Sequence, residues 1–100
     1  MTAVTLYVEL KSKPGKEDTV AAFLASAKDL VDAEPGTTTW FAVRFDQTTF
    51  AIFDAFDDDV GREAHLSGKV AAALMQNAEE LLAASPQIRK ADVLADKLSG

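Results

Sequence analysis

Two side chains carry most of the chemical potential of this sequence. His65 is the sole histidine. Histidine is the only side chain that ordinarily titrates near neutrality, which makes His65 the natural candidate for proton transfer. Asp54 is the one carboxylate inside an apolar run, flanked by Ile52, Phe53 and Phe56. A carboxylate aimed into a pocket there could act as a base or as a hydrogen-bond acceptor. Each has a plainer explanation. His65 could be an exposed or capping residue on a short helix, and Asp54 could pair with Arg44 across a hairpin. Arg44 could also hold an anion. Trp40, Phe41, Phe50, Phe56 and Tyr7, with Val8, could line a pocket for a flat aromatic molecule, or could simply be packing residues. The acidic run Asp57–Asp58–Asp59 fits a helix cap better than a metal site, because consecutive acids at a helix start cannot all converge on one ion. There is no phosphate-binding loop, dinucleotide glycine pattern or zinc spacing.

The elements that must position these residues follow from changes of period. Val4 to Lys11 alternates apolar and polar and reads as a strand. After Pro14-Gly15, the residues Val20, Phe23, Leu24, Ala27, Leu30 and Val31 recur at helical spacing, so a helix is predicted from Lys16 to about Ala33. Pro35-Gly36 ends it. Thr37 to Phe45 and Thr48 to Phe56 are rich in β-branched and aromatic residues, and the short Asp46-Gln47 link makes them an antiparallel hairpin. A helix capped by Asp57 or Asp58 runs to about Ser67 and breaks at Gly68. A second runs from Lys69 to Ala84. Ile88 to about Leu94 is a weaker last strand. Strand, helix, strand, strand, helix pair, strand predicts an α+β ferredoxin-like βαββαβ domain, a four-stranded antiparallel sheet with its helices on one face.

The chain has 100 residues, enough for one domain. Its formal charge of −6 excludes the basic surface that nucleic acid or anionic lipid requires. It has no cysteine, which excludes disulfides and thiolate metal sites and fits a cytoplasmic protein. No apolar run approaches the length of a membrane span, and the amino-terminal residues lack a signal-peptide pattern. The strands are apolar on both faces. One face is covered by the helices; the other, with an exposed patch containing Trp40, Phe53 and Tyr7, predicts a homodimer joined sheet to sheet.

Three stretches in order resemble the antibiotic biosynthesis monooxygenase family of dimeric α+β barrels. They are Lys13-Pro14-Gly15-Lys16 before an amphipathic helix; Glu34-Pro35-Gly36 followed by Trp40; and Phe53-Asp54-Ala55-Phe56-Asp57 leading to Glu63-Ala64-His65-Leu66. The resemblance spans almost the whole chain. It implies a cofactor-independent oxidation of a phenolic or quinol-like small molecule. His65 and Asp54 would handle protons, and Trp40, Phe41, Phe56, Val8 and Arg44 would contact substrate. Members of a related branch degrade haem using a later histidine of this helix. Leu74 and Met75 stand near that place here, so no haem is implied. A non-catalytic or isomerase-like ligand-binding dimer is the alternative on the same fold.

Overall fold

The computed structural model describes residues 2–98. It follows the βαββαβ plan: β1 (Val4–Lys11), α1 (Glu17–Asp32), β2 (Thr37–Arg44), β3 (Thr49–Phe56), α2 (Asp59–Leu66), α3 (Lys69–Leu81) and β4 (Gln87–Asp92). The strands form one antiparallel sheet in the order β2-β3-β1-β4. No helix among the described residues is long and apolar enough to cross a membrane.

Alternation decides which side of each strand enters the core. Leu6, Val8 and Leu10 of β1 are buried beneath the helices, paired in register with Asp54, Ile52 and Phe50 of β3. Val20 and Leu24 of α1 and Leu74 and Leu81 of α3 close over them. A smaller cluster of Ala27, Val31 and Val70 joins α1 to α3, and Trp40 packs against both clusters. Burying large apolar side chains of this kind is worth about 1.5–3 kcal/mol each.

Local chemistry sets the element ends. Asp46 accepts hydrogen bonds from the Thr48 and Thr49 amides, both at 2.9 Å, so Thr48 belongs to the β2–β3 turn rather than to the strand expected to begin there. Asp58, one of the two expected caps, accepts from the Gly61 amide at 3.0 Å. The last helix stops at Leu81, short of the expected Ala84. Leu82 turns extended and bridges to Ser12, and the Ala83 amide bonds the Lys11 carbonyl. Packing of Leu82 into the core there outweighs a further turn of helix.

The open face of the sheet differs from expectation in one residue. Tyr7, Phe53 and Phe41 lie side by side across β1, β3 and β2, with Phe53 41% and Phe41 55% exposed. Trp40 is the neighbour of Phe41 and so points the other way, into the core. The aromatic patch is therefore Tyr7–Phe53–Phe41, and Trp40 is not part of it.

One backbone contact fixes where α2 sits. A methyl group at Gly61 would lie 2.9 Å from the Gly36 carbonyl oxygen, and one at Gly36 would lie 3.0 Å from the Gly61 Cα. Only two glycines let α2 touch the turn before β2. One helical turn beyond Gly61, on the same face, comes His65. Gly61→Ala should therefore force α2 outward and destabilise the fold by about 1–3 kcal/mol, as overpacking does. A thermal melt should show a midpoint lower by several degrees; an unchanged midpoint would mean the contact is not tight.

Candidate active site

His65 is buried, 7% exposed, in the last turn of α2. It lies between two carboxylates. Its Nδ1 is 2.5 Å from Oε1 of Glu34, and its Nε2 is 2.9 Å from Oδ2 of Asp54. The Glu34 contact is a directed hydrogen bond. The Asp54 contact is an ion pair through Oδ2, and the other Asp54 oxygen, Oδ1, has no hydrogen-bond partner among the described residues. The ring of Phe56 packs 5.5 Å from the imidazole, tilted by 46°.

Each member is delivered by a different element. Asp54 comes from β3, where alternation points it under the helices between Leu6 and Trp40, its partners in register. Glu34 comes from the turn after α1. Pro35 occupies the second position of that turn, which its fixed φ suits. The Thr37 amide closes the turn on the Glu34 carbonyl at 3.2 Å, and the Thr37 hydroxyl donates to Oε1 at 2.9 Å. Gly68 makes room from the other side, since a methyl there would lie 3.0 Å from Oε2 of Glu34.

Burial alone would push the His65 imidazole towards its neutral form. The Asp54 and Glu34 carboxylates outweigh that and hold its pKa above the ordinary 6.5. The array thus favours an imidazolium flanked by two acids. Among the described residues, no group of His, Asp and Glu is arranged to hold a metal ion.

Two clefts meet at Glu34. One, of about 200 Å³, is lined by Glu34, Pro35, Gly36, Gly61, Ala64 and His65. The other, of about 400 Å³, runs between α1 and β2 past Val31, Glu34, Thr37 and Trp40. The structure therefore brings together His65, Asp54, Phe56 and Trp40 from the candidates and adds Glu34. It does not bring the rest. Val8 is sealed in the main core cluster. Phe41 projects from the opposite face of the sheet and borders the larger cleft only along the β2 edge. Arg44 sits at the far end of β2, over the Phe50 ring, and donates to the Asp46 and Gln47 carbonyls. It caps the hairpin turn and makes no pair with Asp54, which is taken by His65. Glu34 was visible in the sequence only as part of a Glu-Pro-Gly turn. Its place beside His65 depends on a contact between residues far apart along the chain.

A raised imidazole pKa has a definite consequence for stability. The protonated form is favoured in the folded state, so its contribution is complete below about pH 6.5 and is lost as pH rises through the folded-state value. Urea unfolding should give a midpoint that falls as pH is raised from below 6.5 into the alkaline range. His65→Gln should flatten that dependence. A wild-type midpoint that rises over this range would refute the assignment.

No protein-family profile matches the chain, and no curated protein matches it. Solved structures do. A Nitrosomonas europaea protein of unknown function is 54% identical, with a TM-score of 0.97 over 100% of this chain and 97% of that one. The Pseudomonas aeruginosa protein PA3566 is 23% identical, with a TM-score of 0.80 over 95% and 97%. A Chloroflexus aurantiacus protein provisionally named an antibiotic biosynthesis monooxygenase is 18% identical, with a TM-score of 0.76 over 98% and 99%. The expected fold resemblance is therefore present at full length. The chain belongs to one family with the Nitrosomonas europaea protein, on the fold of the antibiotic biosynthesis monooxygenases.

Proposed function

We propose that the chain is a cytoplasmic homodimer that oxidises a phenolic or quinol-like small molecule with dioxygen and needs no cofactor. The observation that carries this reading is the Glu34–His65–Asp54 array at the junction of two clefts. Glu34 is the member that reaches the surface, its side chain 19% exposed, so it is the one that meets a substrate hydroxyl. His65 and Asp54 hold the charge behind it. Transfer of the phenolic proton to Glu34 leaves an electron-rich anion beside the imidazolium. That anion reduces dioxygen through its own ring carbon. For an anthrone-like substrate, the ring CH₂ becomes C=O. One oxygen atom stays on carbon and the other leaves as water with the two hydrogens, so the substrate supplies all four electrons.

A second reading, a non-catalytic or isomerase-like ligand-binding dimer, is favoured by one observation. Both nitrogens of His65 are already engaged by its own carboxylates. Oxygen uptake across hydroquinones and anthrone-like phenols, without added cofactor, separates the two. Uptake by the wild type that falls by about 10²-fold in His65→Gln supports the enzyme. No uptake with any of them favours the ligand-binding dimer, and equal rates remove His65 from the chemistry. His65→Gln is the better variant than His65→Ala, which would leave two buried carboxylates facing each other, at a cost of about 3–5 kcal/mol.

The dimer rests on the open sheet face. Phe41, Val43, Phe45 and Phe53 are all exposed there or at its edge, an apolar surface that a monomer would present to water. Sedimentation at micromolar concentration should give twice the chain mass for the wild type and a monomer for Phe53→Asp. A monomeric wild type would overturn the sheet-to-sheet pairing.

A further inference from the structure

Two recesses open side by side along the seam between α1 and the edge strand β2. The larger, of about 400 Å³, is the cleft that contains Glu34 and Trp40. The smaller, of about 190 Å³, is lined by Ala21, Leu24 and Ala25 of α1, Ala42 and Arg44 of β2, and Phe50 of β3. Ala42 borders both, so they form one trough that follows β2 from the Glu34 turn to the hairpin. The stretch of β2 from Thr38 to Arg44 gives that trough a length of about 20 Å. Lys28 and Asp32 stand on its rim and neutralise each other at 2.6 Å.

The two ends of the trough differ in charge. At one end, Glu34 and Asp54 share a single imidazole. At the other, Arg44 makes no ion pair with any carboxylate among the described residues. Its guanidinium is nevertheless held in place. It donates to the Asp46 and Gln47 carbonyls at 3.2 and 2.9 Å and lies 4.9 Å above the centre of the Phe50 ring. The Asp46 carboxylate is turned to the Thr48 and Thr49 amides instead. Neutral carbonyls orient a guanidinium without cancelling its charge. The remaining N–H donors keep the planar fork that matches a carboxylate.

We propose that the trough takes an elongated amphiphile, with a neutral phenolic ring at the Glu34 end, an apolar body along α1 and β2, and a carboxylate at Arg44. This rests on the reading that Glu34 meets a phenolic hydroxyl, and it adds the far end of the molecule that carries it. The carboxylate then stays about 20 Å from Glu34. That exceeds the screening length of about 8 Å in physiological salt, so the acids around His65 do not repel it, and the end that reaches them is neutral.

A para-hydroxyphenyl ring bearing a straight undecanoate chain spans the trough, whereas the same ring bearing butanoate stops short of Arg44. Each acid is compared with its primary amide, which keeps the shape and removes the charge. Trp40 is the only tryptophan and lines the larger cleft, so it supplies one indole N–H resonance there. Nitrogen-15-labelled protein is titrated under nitrogen, where no turnover with oxygen occurs. The undecanoate should move the indole saturably and bind about fivefold more tightly than its amide, the upper end for an exposed ion pair. High salt should erase that preference. The butanoate should show no preference over its amide. In Arg44→Met the long acid and the long amide should bind alike; a merely structural role for Arg44 would weaken both and leave the preference intact. If Arg44→Met does not fold, the salt and chain-length comparisons on the wild type decide. An undecanoate that leaves the indole unmoved, that binds no better than its amide, or that keeps its preference in Arg44→Met overturns the proposal. Because oxygen is excluded, equal binding of acid and amide counts against Arg44 alone, and a failed oxidation assay leaves the titration standing.

Discussion

An imidazole held between two carboxylates ties three separate parts of this chain at one point. Glu34 belongs to the turn that ends α1, Asp54 to the inside of β3 and His65 to the last turn of α2. A buried pair of acids is unstable unless a cation lies between them, and a buried imidazolium is unstable unless acids surround it. Each group therefore makes the others tolerable, and removing any one exposes the cost of the rest. The surrounding sequence serves this closeness. Gly36 and Gly61 let α2 rest on the turn, Gly68 leaves space for the Glu34 carboxylate, and Thr37 donates to it.

The same strand that delivers Asp54 also shapes the opposite side of the sheet. β3 is buried along nearly all its length, with Phe53 its one exposed residue. Its helix-facing residues, Phe50, Ile52, Asp54 and Phe56, build the core and the site. Its other face offers Ala51 and Ala55 around Phe53, small residues that leave the aromatic row of Tyr7, Phe53 and Phe41 standing proud. A partner that covers this row presses on the back of the strand carrying Asp54. In the proposed dimer, assembly and site geometry would be coupled through one strand, without any residue shared between them.

Period and punctuation made the elements legible. Alternation in Val4–Lys11, the helical stripe from Val20 to Val31 and the Pro-Gly breaks each act locally, so one sequence suffices to read them. The side of the sheet on which an aromatic falls is different. Trp40 and Phe41 are adjacent and therefore opposed, but which of them joins Phe53 depends on the register between β2 and β3, with its irregularity between Thr37 and Thr39. No alternation within a single strand contains that register. Glu34 is not legible in the sequence for a related reason. In sequence it is an ordinary charged residue at a helix end, and its meaning comes from His65 on another element. Asp54 and His65 stood out because their types were rare in their surroundings. Arg44 had an equally suggestive type, yet the carbonyls of its own hairpin turn claimed it first.

Occupying both nitrogens of His65 changes what such a residue can do. A histidine that shuttles protons needs one nitrogen free to meet the substrate, and this one has Glu34 on one side and Asp54 on the other. On the proposed reading it acts instead as a fixed charge whose field Glu34 and a bound ligand share. In the proposed reaction, a neutral hydroxyl gives its proton to Glu34, and the site trades one anion for another beside the same imidazolium. The net charge of the buried array is the same before and after. The desolvation that would penalise a newly created buried anion is therefore largely cancelled, since Glu34 is neutralised in the same step. A ligand that arrives already ionised gains no such exchange, because Glu34 keeps its charge and the newcomer adds a second. On this physics the array favours molecules that enter neutral and ionise inside, which ties the choice of ligand and the proton transfer to a single arrangement of three side chains.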